Sequence, residues 1–349
     1  MGTTMRRTER TESTIDTVVS VGEVRFGLDP FPIIAGPCAV ESEEQLMETA
    51  QAVAAAGAGI LRGGTVASSS SPYGFAGLGG AGVALLAQAG HEVGLPVVTQ
   101  VNEPRDIEVV MDQIDMIEIA SADMQNFELL RAVGSTQKPI LLKRAQSATI
   151  DEWLWAAEYI LAEGNDQVVM CERGIRTFGD GPTLDITSVP AIRERCHLPV
   201  IVFPSHAAGD RSRVKALSLA AQGVGANGLV VEVHPRPAEA ATNPDQQIDI
   251  PMFIELISSL GVNRMRMGVD QVDREVVRLL ARRRDLARSI GKLKTERGLP
   301  IRVPEREAEL LDDIRAEAKL YGMDDTYIVA LFELVLEQSR RIQEQDRSE

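Results

Sequence analysis

Eight short apolar runs follow one another at regular intervals through the first two thirds of the chain. They are rich in Val, Ile and Leu without strict alternation, which is typical of parallel strands that are covered on both faces. Stretches with helical spacing lie between them, such as 43–56, 81–93 and 151–163. The eight runs are residues 32–37, 59–62, 96–101, 116–120, 139–143, 167–171, 199–203 and 228–233.

This alternation of strands and helices predicts an α/β fold, a (β/α)8 TIM barrel, because a doubly wound sheet rarely has eight strands. Residues 17–27 alternate apolar and polar positions around a glycine and predict an N-terminal β-hairpin. Residues 1–16 are polar and are predicted to form a disordered tail. The barrel domain is therefore expected over residues 17–261, with a loop at 236–250 and its last helix at 251–260.

The pattern changes after residue 261, where three helical segments are predicted at 264–297, 304–321 and 324–345. Gly298 with Pro300 ends the first segment, and Gly322 separates the second from the third. Five apolar residues at helical spacing in the first segment are expected to be core: Leu279, Leu280, Leu286, Ile290 and Leu293.

The first of these helices would be about 50 Å long at 1.5 Å per residue, which is too long for a compact three-helix monomer. Residues 262–349 are therefore predicted to be an all-α three-helix domain in which two chains form an intertwined dimer. The positions of three cations agree with a shared site. Arg283 and Lys294 lie three turns apart on one face, and Arg266 lies on a similar face at the far end of the rod.

Composition excludes several classes of function. The chain has 36 basic and 51 acidic residues, a formal charge of −15, which disfavours nucleic acid and membrane surfaces as partners. Only residues 264–306 reverse this balance, with 13 Lys or Arg against 6 Asp or Glu. The sequence has no apolar run long enough to span a bilayer, no signal peptide and no disulfide framework among its 3 cysteines. We expect a soluble cytoplasmic protein that acts on small molecules as a homodimer or tetramer.

Polar residues stand at the carboxyl ends of the predicted strands, where barrel enzymes place their chemistry. Cys38, His206 and Glu232 offer the soft and borderline ligands that suit a divalent metal, Mn, Fe or Zn. A set of cations at the same end would bind phosphate or carboxylate groups: Arg62, Lys143, Arg144 and Arg173.

The motifs around these residues resemble the type I 3-deoxy-arabino-heptulosonate 7-phosphate (DAHP) synthases over residues 15–260, and the octulosonate-phosphate synthases less closely. The strings that carry the resemblance include GPCAVES, LRGG, MQNFELL, LLKR, CERGIRTF, PSHAAG and VEVHP. The resemblance implies condensation of phosphoenolpyruvate with erythrose 4-phosphate and a metal held by Cys, His, Glu and Asp. On the family pattern the chain keeps Cys38, Arg62, Lys143, Arg144, Glu172, Arg173, Arg176, His206 and Glu232.

The departures from this family fall on positions that bind substrate or metal. Two cationic anchors of the family are Ala67 and Ser69 here, and its Ala-Arg-Asn segment is residues 121–123, Ser-Ala-Asp. Phe203 replaces the family's Asp before Pro-Ser-His, and Gln100 replaces a Glu. The fourth metal ligand aligns with Asn243, with Asp245 two residues on. Three lost cationic contacts, at about 1.5–3 kcal/mol each, predict that DAHP synthesis is lost or severely reduced.

Residues 264–345 resemble the all-helical chorismate mutases, in the frame VDREVVRLLARRRDLARSIGKLK and the two segments after it. The resemblance implies that Arg266 of one chain and Arg283 of the other bind the carboxylates of chorismate. It also implies that Lys294 and Gln343 donate to the ether oxygen, and that the pocket is completed by Arg306, Glu307 and Ser339. Val303 stands where the family has an acid. The mutase itself needs no cofactor.

The sequence thus predicts a chorismate mutase fused to a DAHP-synthase-like barrel, a pseudoenzyme that serves as scaffold or regulator. Two alternatives stay open: a bifunctional enzyme that also condenses phosphoenolpyruvate with erythrose 4-phosphate, and a barrel that acts as a metabolite-binding regulatory module.

Overall fold

The computed structural model describes residues 7–11, 14–66, 73–179 and 181–346, apart from the side chains of residues 262–267, 271, 345 and 346. The chain has two compact units, which divide between Gly268 and Val269. This division lies a few residues beyond the predicted domain boundary at 261.

The first unit begins with a β-hairpin of β1 (Val19–Val21) and β2 (Val24–Phe26), as the sequence predicted. Eight parallel strands then close into a barrel, so the predicted (β/α)8 fold is confirmed. Each strand corresponds to one of the apolar runs: β3 (Ile33–Gly36), β4 (Ile60–Arg62), β5 (Val97–Val101), β6 (Met116–Ile119), β7 (Ile140–Lys143), β8 (Val168–Glu172), β11 (Val200–Val202) and β12 (Leu229–Glu232). The two short strands β9 (Ile175–Arg176) and β10 (Pro182–Thr183) form a second hairpin after β8.

Helices connect the strands around the outside of the barrel, and their ends carry clear sequence signals. Ser42 accepts a hydrogen bond from the Gln45 amide and starts the first helix, while Thr149 and Glu152 form a reciprocal capping box on the fifth. The helices are α1 (Glu43–Ala56), α2 (Gly80–Val93), α3 (Asp106–Val110), α4 (Phe127–Ser135), α5 (Ile150–Ala162), α6 (Ser188–Arg195), α7 (Pro204–Ala208) and α8 (Val214–Gly223).

Apolar side chains fill the barrel as two layers. One cluster lies inside the strands and includes Ile60, Met116 and Val230, and the larger cluster packs the strands against the helices. Trp153 of α5 is fully buried in the larger cluster and donates its indole N–H to the Leu142 carbonyl at 3.2 Å. Because the interior is filled, the polar groups collect at the carboxyl ends of the strands.

The N-terminal segment corrects one prediction. Residues 7–11, expected within a disordered tail over 1–16, are held against the barrel in the structure. Thr8 is fully buried and donates its hydroxyl to Glu158 at 2.7 Å, and Glu9 pairs with Cys196 as a β-bridge. The polar composition of this segment hid these contacts because its partners are about 150 or more residues away in sequence. Residues 1–6, 12 and 13 lie outside the described residues.

A single helix, α9 (Ile250–Glu296), runs through the boundary between the two units. The sequence predicted two separate helices with a break near residues 261–263, and this prediction is wrong. Gly261 weakens a helix by about 1 kcal/mol relative to alanine, which is too little to end one. Pro251 lies in the first turn, where proline is tolerated.

The second unit contains the end of α9 followed by α10 (Pro304–Leu320) and α11 (Asp325–Asp346). Gly298 and Gly322 adopt left-handed backbone conformations, with φ of 65° and 63°, at the predicted helix ends. This confirms the predicted three helical segments. No helix among the described residues combines the length and apolar composition that crossing a membrane requires.

The five apolar residues predicted as core of this unit are solvent-exposed in the single chain: Leu279, Leu280, Leu286, Ile290 and Leu293. Because the sequence analysis predicts an intertwined dimer for this domain, their burial stays a prediction that one chain does not test. Periodicity identified an apolar face correctly but could not tell what covers it. The buried side chains of the unit are few, and among those described they are Ala287, Ala318, Ile342 and Gln343.

Candidate functional sites

Strand register brings the predicted polar residues to one end of the barrel. Glu232, the last residue of β12, lies beside Gly36 of β3, and Glu172 of β8 lies beside Val202 of β11. Gly36 has a φ of 152°, and a Cβ there would lie 2.1 Å from the Arg62 carbonyl oxygen. This close approach of β3 to β4 requires glycine, and it sets Cys38 and Arg62 at the same mouth.

Cys38, His206 and Glu232 are brought together, with one donor atom of each within 4.8 Å of the others. Burial, followed by the Glu232 charge, raises the pKa of the Cys38 thiol to about 12. Burial lowers the pKa of His206, so its imidazole is neutral, which is the form that ligates metals. A thiol, an imidazole and a carboxylate at these separations fit a divalent metal. The fourth neighbour is Asn243, whose Nδ2 lies 3.2 Å from the Cys38 Sγ.

A buried ion-pair network adjoins this triad. Arg62 contacts Glu232 through Nη1 at 3.0 Å and Glu118 through Nη2 at 3.7 Å. The Lys143 ammonium lies 2.5 Å from the same Glu118 oxygen. Burial alone would raise the pKa of Glu118, but Lys143 and Arg62 outweigh it and hold that pKa below its ordinary value. Two predicted anion-binding cations therefore already have a carboxylate between them.

Phe203 lies beside this network and the metal-ligand triad. Its fully buried ring stacks on the His206 imidazole with centroids 4.3 Å apart, and Arg62 lies over it at 5.2 Å. Lys143 Nζ is 5.4 Å from its centroid. The residue that replaces the family's aspartate is thus packed beneath the two cations.

The other two predicted cations have different partners. Arg173 Nη2 lies 2.8 Å from His206 Nδ1. Because a guanidinium can only donate, Nδ1 accepts this hydrogen bond, and the proton of the neutral ring is on Nε2. Nε2 donates to Glu232 at 2.9 Å. Arg144 pairs with Glu172 at 3.1 Å and with Asp185 at 2.8 Å, behind the mouth. Arg144 therefore braces the ends of β7 and β8, whereas Arg173 lies beside the triad.

The structure describes some of the other positions at which the sequence departs from the family pattern. Ala67 and Ser69 lie outside the described residues. Gln100 is buried and donates to the Val66 carbonyl, so this amide now holds the loop after β4. Residues 121–123 form a single 3-10 turn after β6.

In the helical unit, α9 packs against α11 through the predicted mutase residues. Arg283 donates through Nη1 to the Ser339 hydroxyl at 2.5 Å and to the Val335 carbonyl at 3.4 Å. Partial burial lowers the pKa of Arg283, which nevertheless stays cationic at neutral pH. The structure therefore joins one predicted carboxylate-binding residue to one predicted pocket residue.

Gln343 is 8% exposed and lies against Gly291 of α9. A Cβ at Gly291 would lie 2.9 Å from Gln343 Cγ, so the absence of a side chain there makes room for the amide. Lys294, three residues further along α9, donates to the Ile301 carbonyl at 2.5 Å. Arg283, Gly291 and Lys294 lie on one helical face, at spacings of eight and three residues.

The Glu307 carboxylate forms ion pairs with Arg340 at 2.9 Å and with Arg302 at 3.5 Å. Arg306 is exposed and instead pairs with Glu309 at 2.9 Å, so the structure does not bring Arg306 to the other predicted residues. The Arg266 side chain lies outside the described residues.

A seam of apolar residues runs along the second-unit part of α9 with the alternating three- and four-residue spacing of a coiled coil. Each apolar member is at least 44% exposed in the single chain, and Arg283 occupies the one polar position among them. The seam is Val269, Val272, Val276, Leu279, Arg283, Leu286, Ile290 and Leu293.

Glu118, Gly291 and Arg340 were missed by the sequence analysis. Glu118 carried a usable signal, since an acid inside an otherwise apolar buried strand needs a cationic partner. Gly291 and Arg340 carried none, because helical spacing does not say which residues of a second helix they face.

With this geometry established, comparison with known proteins places both units. Residues 11–263 match the DAHP synthetase I family, and residues 265–344 match chorismate mutase type II. A phospho-2-dehydro-3-deoxyheptonate aldolase of Thermotoga maritima is 46% identical over 256 residues, which are 73% of this chain and 76% of the relative. A 2-dehydro-3-deoxyphosphooctonate aldolase of Acidithiobacillus ferrooxidans is 31% identical over 61% of this chain and 82% of the relative.

Solved structures give the same assignment for the barrel. The crystal structure of the Thermotoga maritima DAHP synthase superposes with a TM-score of 0.71 at 43% identity, covering 75% of this chain and 77% of that one. A truncated form of the same protein superposes with a TM-score of 0.70 and is covered to 97%.

Proposed function

Because the chain belongs to the DAHP synthetase I family and carries a chorismate mutase type II domain at its C-terminal end, we propose that it is a bifunctional enzyme. The helical unit rearranges chorismate to prephenate, and the barrel condenses phosphoenolpyruvate with erythrose 4-phosphate. The observation that carries the proposal is that Cys38, His206 and Glu232 converge at the barrel mouth, while Arg283 contacts Ser339 in the helical unit. Both reactions belong to the shikimate pathway of aromatic amino-acid biosynthesis.

The mutase reaction is a pericyclic shift and needs no nucleophile, metal or general base. Its residues must hold a dianion in a compact geometry and stabilise negative charge on the ether oxygen as the bond breaks. Arg283, fixed by Ser339, binds a carboxylate. Lys294 and Gln343 donate to the ether oxygen, and the short Lys294–Ile301 contact is exchanged for substrate.

Glu307 is held by Arg340 and accepts the ring hydroxyl of chorismate. Arg306 turns from Glu309 to a carboxylate when substrate binds, a small side-chain movement for an exposed residue. Arg266 of a second chain completes the pocket.

A second copy of the chain is the proposed partner. The apolar seam on α9 is a continuous exposed row, whereas ordinary surfaces expose single, scattered apolar residues. Its spacing suits pairing with another helix. Two chains joined along this seam would bury its apolar members, four of the five residues predicted as core among them, and the Arg283 of each chain would then lie within the shared seam. The assembly is a homodimer, or a tetramer built from it. A cytoplasmic location stays a prediction.

In the barrel, Cys38, His206 and Glu232 would hold a divalent metal, Mn, Fe or Zn, which supplies Lewis-acid polarisation of a carbonyl oxygen. The chain's own residues bind and orient the anionic substrates. Arg62 and Arg173 each keep a buried Nε donor that has no hydrogen-bond partner among the described residues. Unsatisfied buried donors are costly, and an anionic ligand between them would satisfy both. Lys143 contributes a third positive charge at the same mouth.

A second candidate function for the barrel is the scaffold or regulatory role that the sequence departures predicted. Phe203 and Glu118 favour it, because the first is an apolar residue beneath the cations and the second already neutralises them. The synthase-named relative of 46% identity supports the bifunctional proposal at least as well. In the second candidate, the barrel binds a metabolite of the pathway without turnover.

Two assays on the full-length protein test these proposals. Conversion of chorismate to prephenate, followed by absorbance, tests the mutase, and its absence from folded protein would refute that half. Loss of phosphoenolpyruvate absorbance after addition of erythrose 4-phosphate and Mn²⁺ tests the barrel. Turnover of about 1 s⁻¹ or more supports the bifunctional enzyme. No consumption, by protein that still converts chorismate, leaves the second candidate.

A further inference from the structure

Four ionised side chains at the barrel mouth are buried together and their charges cancel. Arg62 and Lys143 contribute two positive charges, and Glu118 and Glu232 contribute two negative charges. None of the four is more than 3% exposed. Arg173 lies beside the triad and adds one further positive charge. Buried charges are screened weakly by solvent, so these five charges together govern which ligand charge the mouth accepts.

Glu118 is the member of the network that no other feature of the site explains. It is not part of the Cys38, His206 and Glu232 triad. Its carboxylate lies 2.5 Å from the Lys143 ammonium and 3.7 Å from Arg62, so it occupies the position between the two cations. An anionic group approaching these cations meets a carboxylate that is already bound.

We infer that Glu118 is a specificity-determining residue of the barrel, an internal counter-anion that lowers the affinity of Arg62 and Lys143 for phosphate-bearing ligands. This inference rests on the proposed function only in that the barrel binds an anionic substrate. The repulsion grows in proportion to ligand charge, so it weakens a phosphate ester that carries several negative charges more than a simple monocarboxylate. Glu118 therefore narrows the advantage that phosphoenolpyruvate holds over pyruvate.

Phe203 lies close to both cations and does not compete with Glu118 for them. Its buried ring lies 5.2 Å from the Arg62 guanidinium carbon and 5.4 Å from Lys143 Nζ. An apolar ring has no carboxylate to pair with either cation, whereas the family's aspartate at this position would have one. Glu118 is therefore the carboxylate that both cations share.

The test is calorimetric titration of full-length Glu118→Gln with phosphoenolpyruvate and with pyruvate, in one buffer that contains Mn²⁺. Glutamine keeps the shape and removes the charge. We expect phosphoenolpyruvate to bind Glu118→Gln at least about tenfold more tightly than it binds the unaltered protein. Pyruvate should bind the variant about twofold more tightly. Equal affinity for phosphoenolpyruvate in the two proteins would overturn the inference. An equal gain for both ligands would also overturn it, since that is the signature of added space.

Two controls separate charge from fold. Glu118→Asp keeps the charge and should keep weak phosphoenolpyruvate binding. Glu158→Gln removes a carboxylate that contacts Thr8 on the outside of the barrel, and it should change neither ligand. If Glu118→Gln fails to fold, the unaltered chain still decides: we expect at most about a tenfold preference for phosphoenolpyruvate over pyruvate, and a preference above a hundredfold contradicts the inference.

Turnover is measured separately from binding. A Glu118→Gln protein that gains affinity without condensing substrates upholds the inference and counts against the synthase. If the full-length protein condenses the substrates, but the unaltered and Glu118→Gln proteins bind them equally tightly, the synthase is supported and the inference is overturned.

Discussion

The barrel and the helical unit place their charged and apolar residues in opposite ways. In the barrel, Arg62, Glu118 and Lys143 are buried and paired, and the apolar core is continuous. In the helical unit, the apolar seam of α9 is exposed, while Gln343 is buried and Arg283 is half-buried against Ser339. Burying charges is costly unless they are paired, and exposing an apolar seam is costly unless something covers it. The barrel therefore buries its apolar core within one chain, whereas the helical unit leaves its apolar seam uncovered in one chain.

The largest effect that would sharpen this contrast is expected at Lys294. Lys294→Ala removes the donor that we propose for the ether oxygen, and the loss of one such donor typically lowers turnover by about 10²–10³-fold. The measurement is kcat/KM for chorismate in the full-length protein. Lys292→Ala, exposed and two residues away on the same helix, is the matched control and should retain normal activity. A Lys294→Ala enzyme with normal kcat/KM would contradict the assigned role.

The second largest effect is expected at the apolar seam, the interface of the proposed dimer. Leu286→Asp places a charge in the seam, and we expect the dissociation constant of the dimer to rise by about a hundredfold or more, with loss of mutase activity. Light scattering coupled to size-exclusion chromatography over a concentration series measures this. Val277→Asp changes a residue that is 66% exposed but lies off the seam, and it should leave the assembly intact. If both variants behave alike, the seam is not the interface.

A metal prediction tests the barrel alone. Cys38→Ser removes the soft donor of the triad and should weaken Mn²⁺ or Zn²⁺ binding by about 10–100-fold, as loss of metal-site partners commonly does. Titration with Co²⁺ gives a direct readout, because the thiolate-to-metal absorption band appears only when Cys38 is a ligand. Cys171→Ser changes another free, buried cysteine and should keep the band. Chorismate turnover should stay unchanged in both proteins.

The smallest effect is expected at Gly291. Gly291→Ala adds a methyl group that would lie 2.9 Å from Gln343 Cγ, so the amide must shift. We expect a loss of about tenfold in kcat with little change in KM, since the displaced donor acts mainly in the transition state. Alanine favours the helix relative to glycine, but the new methyl group would also lie 3.2 Å from Gln343 Cβ, so the two effects oppose each other and the melting temperature should change little. Equal losses in activity and stability would point to general disruption instead.

The sequence predicted the barrel well because local patterns determine it. Each apolar run became a strand, and Gly298 and Gly322 lie just after helix ends, as predicted. The break near residue 261 was wrong because one glycine does not end a helix that tertiary packing supports. The polar tail was wrong for residues 7–11 because its contacts, such as Thr8 with Glu158, are distant in sequence.

The candidate sites were predictable only as far as motifs reach. Cys38, His206 and Glu232 converge because strand ends meet at one mouth, which the topology guarantees. The pairing of Glu118 with Lys143 depends on side-chain geometry across two strands, and residue spacing cannot show it.

The buried indole of Trp153 gives the molecule a built-in optical label. The chain has 2 tryptophans, Trp153 and Trp155, and both lie on α5. Intrinsic tryptophan emission therefore follows the melting of the barrel alone, whereas far-ultraviolet circular dichroism follows every helix in the protein. Heating one unlabelled sample while recording both signals would show whether the two halves of this fused enzyme melt as a single cooperative body or one after the other.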